Sequence, residues 1–482
     1  MSVTMLRRVN KAAVSQTTRV ASRAIWGVAP EPVAEPLWQP SPVFDVESPI
    51  PLFDGPTPTK VTTLPNGMKV ASSDLPAPAT TLGVYIRTGS KYEAVTGTSH
   101  VLQHMAFKSS EGRSELRMVR DAERLGAAVS CVAARESLVY QIDCLKESVP
   151  EAVAMLAETT LAPKLLPWEL EAQGGAIKSE VADLSLNHQG LLQELIHPAA
   201  YGALSPLGKP LFAKPSAIGA IDPTTLGDFV SKEFLPSKMV LAAAGYDHDE
   251  LVSLAKTYFG ALPAGEAPAT AADKYVGGEN RVSAEEMSTH FALAFEGVGW
   301  ESKQLVPLCV LNTLMGGGAS FSAGGPGKGM YTRLYQNILN RYPSVEAATV
   351  FNAFYEGTGL FGVYGAAPAS SMGSLVAALV DEMKKMTSTI SEEELTRAKN
   401  QLTSSLLMNL ESRPVLFEDI GRQTLIYGAR TPPETLVKEI AAVTAADLNG
   451  IAKTMLSKPP SVAVYGDTTS VPRYDLIAKQ FA

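Results

Sequence analysis

From Lys60 onward the order of apolar and polar side chains switches between a period of two and a helical period. Val61–Leu64 and Lys69–Ser72 flank Pro65-Asn66-Gly67, the composition of a turn between two strands. Thr81–Thr88 alternates as a further strand, and Val129–Val132 with Ser137–Cys144 read as a strand pair. Helical spacing marks residues 98–108, Arg113–Leu125 before Gly126, Val149–Leu161 and Pro167–Leu186. Val240–Ala244 is apolar throughout and suits a buried strand, with a helix after it at His248–Phe259.

The second half repeats this order. His290–Phe295 and its polar loop mirror Leu82–Arg87, and Leu360–Tyr364 mirrors Ser137–Cys144. Val310-Leu311-Asn312-Thr313 stands 209 positions after Val101-Leu102-Gln103-His104. The helix holding Glu394 and Ser404-Ser405 stands 225 after the one holding Glu169 and Ser179-Glu180. Val462–Tyr465 before Gly466-Asp467 matches Val240–Ala244 before Gly245-Tyr246-Asp247. So long a repeat is a duplicated domain, not a solenoid. Antiparallel strand pairs and blocks of helices, without strict strand–helix alternation, predict an α+β fold. Two similar domains are expected over residues 59–265 and 281–482, each a mostly antiparallel sheet packed with helices, joined by a linker at 266–280.

Regular patterning starts late. Residues 30–58 hold nine prolines, too many for a helix or an inner strand, and read as an extended arm. Residues 1–30 carry Arg7, Arg8, Lys11, Arg19 and Arg23 and no acid, with Ser, Thr, Ala and Val between them. That composition predicts a mitochondrial transit peptide over residues 1–29, cleaved after Arg23 or within the next few positions. With −8 on the whole chain, the remainder carries −13, which argues against nucleic acid and favours basic partners. With 45% hydrophobic and 19% charged residues, the chain is not intrinsically disordered, and no run nears the roughly 18–20 apolar residues that span a bilayer. Cys131, Cys144 and Cys309 lack a CxxC spacing and read as reduced thiols.

Two segments suggest chemistry. His100 and His104 fall four apart on the helix predicted over 98–108, so both imidazoles share a face. Glu180, on the helix at Pro167–Leu186, is the candidate third ligand of a zinc site, which needs three protein donors and an open position. An exposed or hydrogen-bonded histidine pair is the alternative. The other segment, 316–329, holds seven glycines in fourteen residues between helices expected at Leu305–Met315 and Tyr331–Leu339. It is not a phosphate loop, because Lys328 is followed by Gly329 in place of Ser or Thr. On its composition alone the segment reads as a flexible linker, with Phe321 inside it and Met330 just after it as its large apolar side chains.

His-x-x-Glu-His is the inverted zincin motif. Glu180 stands 76 positions after His104, the separation at which pitrilysin-type peptidases carry their glutamate ligand. Residues 98–110 look like the motif region of the mitochondrial processing peptidase subunits in that family. The likeness continues through Gly316–Met330, Asn409–Arg413 and Asp419–Gln423, so it covers about residues 60–482. It is strongest to the alpha-type subunits, which in plants and algae also serve as core subunits of respiratory complex III. The resemblance implies a non-catalytic subunit that recognises the basic presequences of imported precursors. Its partner would be a beta-type subunit carrying the active zinc site. It would lie in the mitochondrial matrix, peripheral on the matrix side of the inner membrane, beside other complex III subunits. A purely structural complex III core subunit is the alternative. The resemblance makes the glycine-rich segment a presequence-handling loop, with Gly316, Gly317, Gly318, Ser320, Phe321, Gly324, Gly325, Gly327, Lys328 and Gly329 as substrate contacts.

The motif departs from the family's active form. Gln103 stands where the general base belongs, and an amide has no useful basicity near neutral pH, so no catalytic residue is expected. Gln173 replaces a supporting acid. His100, His104 and Glu180 are then a vestigial site: no cofactor is required, and zinc there stays an open expectation. In the second half Cys309, Thr313 and Ser405 occupy the corresponding places.

Overall fold

The computed structural model describes residues 58–265, 273–319 and 330–481. The expected turn at Pro65-Asn66-Gly67 joins β1 (Lys60–Thr63) to β2 (Lys69–Ser73) with Lys60 opposite Ser72. Gly67 sits at φ +91°, a left-handed conformation that costs glycine nothing. β3 (Ala79–Ile86), β4 (Ala128–Ala133), β5 (Leu138–Leu145) and β6 (Met239–Ala244) complete a six-stranded sheet in the order β1-β2-β6-β3-β5-β4. The second sheet runs β7-β12-β8-β11-β10-β9. Its strands are β7 (Gly278–Ser283), β8 (Thr289–Glu296), β9 (Gly317–Ala319), β10 (Ala347–Phe354), β11 (Gly359–Ala367) and β12 (Ser461–Gly466). Among the described residues only β2–β6 and β7–β12 pair in parallel. The α+β expectation holds, with two related, mostly antiparallel sheets packed with helices.

The helices Val149–Leu161, Pro167–Leu186, His248–Phe259 and Leu305–Met315 have the bounds read from the sequence. Four expectations are corrected. The helix expected over 98–108 stops at His104, and Phe107 then takes φ +56°, its N–H donating to Thr159 Oγ1 at 2.8 Å. Tyr331–Leu339 is not an α-helix; a single π turn covers Tyr335–Leu339. The glycine-rich segment is not a loop throughout, since Gly317–Ala319 form the edge strand β9. The expected linker at 266–280 also ends in structure: Tyr275 is buried with its hydroxyl 2.8 Å from Pro459 O, and β7 opens at Gly278. The transit peptide, residues 30–57 of the arm, 266–272 and 320–329 lie outside the described residues. Among the described residues no helix is long and apolar enough to cross a membrane.

Each sheet buries one face under helices of its own half. On the first, Leu82, Val84, Ile142 and Leu241 meet Val153, Leu156 and Leu251. The opposite faces are covered by exchange. The helix Arg413–Tyr427, from the second half, lays Leu416, Phe417, Ile420 and Leu425 on Ala71, Tyr85, Val240 and Ala242 of the first sheet. The helix His188–Tyr201, from the first half, lays Leu192, Ile196 and Ala200 on Ala292, Ala294, Tyr364 and Ala463 of the second. Covering both faces explains why β6 is apolar at every position. Polar contacts fix the exchange: Arg413 donates to Thr81 Oγ1 at 2.9 Å and to Asp143 at 3.3 Å.

Two histidines titrate in the second of these seams. His197 is buried with Nε2 2.6 Å from the Tyr355 hydroxyl, and burial, with Arg135 adding, holds it neutral well below its ordinary range. His290 stacks on His188 at 4.0 Å and lies 2.8 Å from the Tyr364 hydroxyl. Burial first, then His188, push it down to about 4, against Glu346 and Glu286. Both folded values lie below the unfolded value of about 6.5, so the unfolded chain binds more protons as the pH falls. Stability present above pH 6.5 is therefore lost as the pH drops towards 4. The urea midpoint is expected to be lower at pH 5 than at pH 7, and His290→Gln should narrow that gap. Equal midpoints in the unsubstituted chain would count against this assignment.

Candidate functional site

The helix that carries the motif, Thr98–His104, begins after Gly97 at φ +93° and has no capping side chain of its own. Glu93 supplies the missing acceptor. Its carboxylate takes the N–H groups of Gly97 at 2.7 Å and Ser99 at 2.6 Å, which satisfies donors that a helix start leaves orphaned. Burial still pushes Glu93 above the usual carboxylate range. This brace points His100 and His104 at the long helix Pro167–Leu186, whose Glu169 accepts from Ser109.

The three residues expected to form a site do come together. His104 Nε2 lies 2.6 Å and His100 Nε2 3.1 Å from the same oxygen, Glu180 Oε2. Their ligand atoms all fall within 4.8 Å of one another, the only such His/Cys/Asp/Glu group among the described residues. His100 is 2% exposed, and burial lowers its pKa against the pull of Glu180. In the second half, Thr313 Oγ1 donates to Cys309 O at 3.0 Å and Ser405 is exposed, so no equivalent cluster forms.

The donor set has the spacing of a zinc triad but the wrong polarity. A zinc-bound histidine donates its second ring N–H outward to a carbonyl or carboxylate. Here the backbone N–H of Ala213 donates to His100 Nδ1 at 3.1 Å. The neutral ring then carries its hydrogen on Nε2, the atom a metal would need, and directs it at Glu180. These residues do not fit a tightly held zinc. They fit a hydrogen-bonded tie between two helices.

Gln103 has turned to another task. Its Oε1 accepts from the N–H of Ala133, at the end of β4, at 2.8 Å. The side chain at the place of the lost base therefore pins a strand end. Sequence reasoning identified the substitution but not this partner, 30 residues away, nor Ala213; neither contact leaves a local signal.

Of the ten glycine-rich residues singled out, Gly316, Gly317 and Gly318 are described, and Ser320, Phe321, Gly324, Gly325, Gly327, Lys328 and Gly329 lie outside the described residues. Gly316 (φ +57°) and Gly317 (φ +119°) turn the chain from the helix Leu305–Met315 into β9. A Cβ at Gly316 would strike the Thr332 side chain, and one at Gly317 the backbone of Ala348. Glycine is required at both positions by conformation and by close approach. Among the described residues, the contacts of His100 and His104 do not involve Gly316, Gly317 or Gly318.

Comparison with known proteins agrees with this architecture. Residues 69–214 match the model of the insulinase family, peptidase family M16, and residues 220–402 match the M16 inactive domain. The alpha subunit of the mitochondrial-processing peptidase from Solanum tuberosum is 43% identical over 448 residues, covering 91% of this chain and 88% of the relative. The Homo sapiens alpha subunit is 36% identical over 471 residues, covering 92% and 88%. The Neurospora crassa alpha subunit is 34% identical over 474 residues, covering 82% of each. Two family models end to end, with relatives matched along most of its length, show that the chain belongs to peptidase family M16, among the alpha subunits of the mitochondrial-processing peptidase.

Proposed function

We propose that the chain is the non-catalytic, presequence-recognising member of a mitochondrial peptidase heterodimer whose partner carries the zinc site. The observation that carries this reading is Gln103: the place of the base holds an amide, already engaged with Ala133, inside an otherwise complete fold. The chain itself requires no metal, and His100, His104 and Glu180 serve as a tie between helices. The −13 carried by residues 31–482 complements basic presequences by long-range attraction. The retained glycine-rich segment favours recognition over a purely structural role, and its ten named residues are the proposed contacts. We place the heterodimer on the matrix side of the inner membrane, integrated with complex III; purification of the native protein tests this, since cytochromes in the same particle support it and a heterodimer free of them removes it.

The recognition reading is tested by replacing 320–329 with a short Gly/Ser closure, which leaves β9 in place. Loop-closure entropy changes by only about 0.6 kcal/mol per doubling of length, so the fold should survive. Affinity for a labelled basic presequence peptide is expected to fall about tenfold or more, equivalent to about 1.4 kcal/mol, with the heterodimer intact on size exclusion. Unchanged affinity and turnover would leave the structural core role as the better reading.

A further inference from the structure

The two sheets are related over five strands and differ at their edges: β1 has no counterpart in the second sheet, and β9 has none in the first. Superposing the parallel pair β2–β6 on β7–β12 places β3 on β8, β5 on β11 and β4 on β10. Beyond β4 the first sheet ends. Beyond β10 the second sheet has one more strand, β9, made of Gly317, Gly318 and Ala319. The fold therefore does not need a strand at this position, since its other half is built without one.

β9 is weakly held. Among the described residues it pairs only with Ala347, Ala348 and Thr349, and its largest side chain is one methyl group, so it adds almost no packing. Its firm attachments are at its start: Gly316 O accepts from Val350 N–H at 2.9 Å, and Gly317 N–H donates to Thr332 Oγ1 at 3.2 Å. β10 is longer. Residues 350–354 extend past β9, and no other strand lies on that edge among the described residues. Antiparallel pairing alternates, so the edge that receives Gly316 at Val350 also presents the N–H and C=O groups of Asn352 and Phe354. Glu346, exposed, stands just before the strand.

We propose that β9 is a displaceable strand and that the outer edge of β10 is a peptide-binding edge, on which an extended basic peptide pairs in place of Gly317–Ala319. This rests on the recognition reading above and gives it a place and a geometry. Main-chain pairing supplies affinity with little dependence on sequence, as strand addition does generally. A strand with no side chain larger than a methyl group gives way easily and returns when the peptide leaves.

The test locks the strand down. Ala319 and Ala347 are directly opposite, so Ala319→Cys with Ala347→Cys ties β9 to β10 on oxidation. Burial raises the thiols of Cys131, Cys144 and Cys309, the last to about 11, which keeps them out of exchange. In complex with the partner subunit, the oxidised variant is expected to bind a fluorescent peptide of residues 1–30 at least about tenfold more weakly than the reduced one, a loss of about 1.4 kcal/mol that reductant reverses. Hydrogen exchange gives a second readout should the crosslink not form: added peptide should protect 350–354 and deprotect 317–319. Equal affinity in the oxidised and reduced forms, or unchanged exchange at 317–319 with peptide bound, overturns the displacement. If the lock has no effect while deletion of 320–329 weakens binding, recognition stands and displacement fails. If neither has an effect, recognition fails as well.

Discussion

The isolated chain is expected to cleave a basic presequence peptide at no more than about a hundredth to a ten-thousandth of the heterodimer's rate, the factor that a positioned general base supplies. The cause is at one position. Gln103 has no basic atom, and its carbonyl oxygen is taken by the N–H of Ala133 at 2.8 Å. Gln103→Glu alone should not restore activity. A carboxylate there would accept the same N–H, and His100 would still receive Ala213 at Nδ1 and present a hydrogen at Nε2. The measurement is single-turnover cleavage by the purified chain, by its Gln103→Glu variant and by the heterodimer. Chelator-sensitive hydrolysis by either single chain, near the heterodimer's rate, would show that the base and the ligand polarity had been misassigned.

Phe417→Ala is expected to destabilise the chain by about 3–5 kcal/mol, the range for removing a fully buried aromatic side chain. Phe417 is 1% exposed, its ring 5.2 Å from that of Tyr85. A Cβ at Gly83 would meet Tyr140 O at 2.2 Å and Phe417 Cζ at 2.8 Å, so the ring packs directly on the sheet backbone where no side chain fits. The loss should not stay within the second half of the sequence, because this helix covers the first sheet. Urea unfolding followed by probes in each half should show both shifting. Residues 59–265 expressed alone should fail to give a soluble folded domain, since Ala71, Tyr85, Val240 and Ala242 would be bare. Met408→Ala, at a position 68% exposed, is the control and should change stability by less than about 0.5 kcal/mol. A soluble, cooperatively folding 59–265 fragment would contradict the argument.

Much of the fold was legible where the signal is local. The helices at Val149–Leu161 and His248–Phe259 follow from side-chain period alone, because one buried face repeats every turn. The duplication was legible because strand and helix patterns recur in order, and the departure at Gln103 because a residue type is read directly. The crossing helix His188–Tyr201 was missed: Pro198 lies inside it and Gly190 near its start, both signals against a helix. Packing on the second sheet overrides them. β9 was missed because glycines carry no strand pattern; Gly317–Ala319 extend only because β10 lies beside them.

By itself, then, the sequence determined the α+β class, the two-fold repeat, the family and the absent base. Tertiary structure decided which helix covers which sheet, that Gln103 holds Ala133, and that His100 accepts from Ala213. It also decided that part of the glycine-rich segment is a strand. These are contacts between residues 28 to several hundred positions apart, whose partners are chosen by the geometry of packed sheets, and no periodicity along one segment encodes what lies across from it.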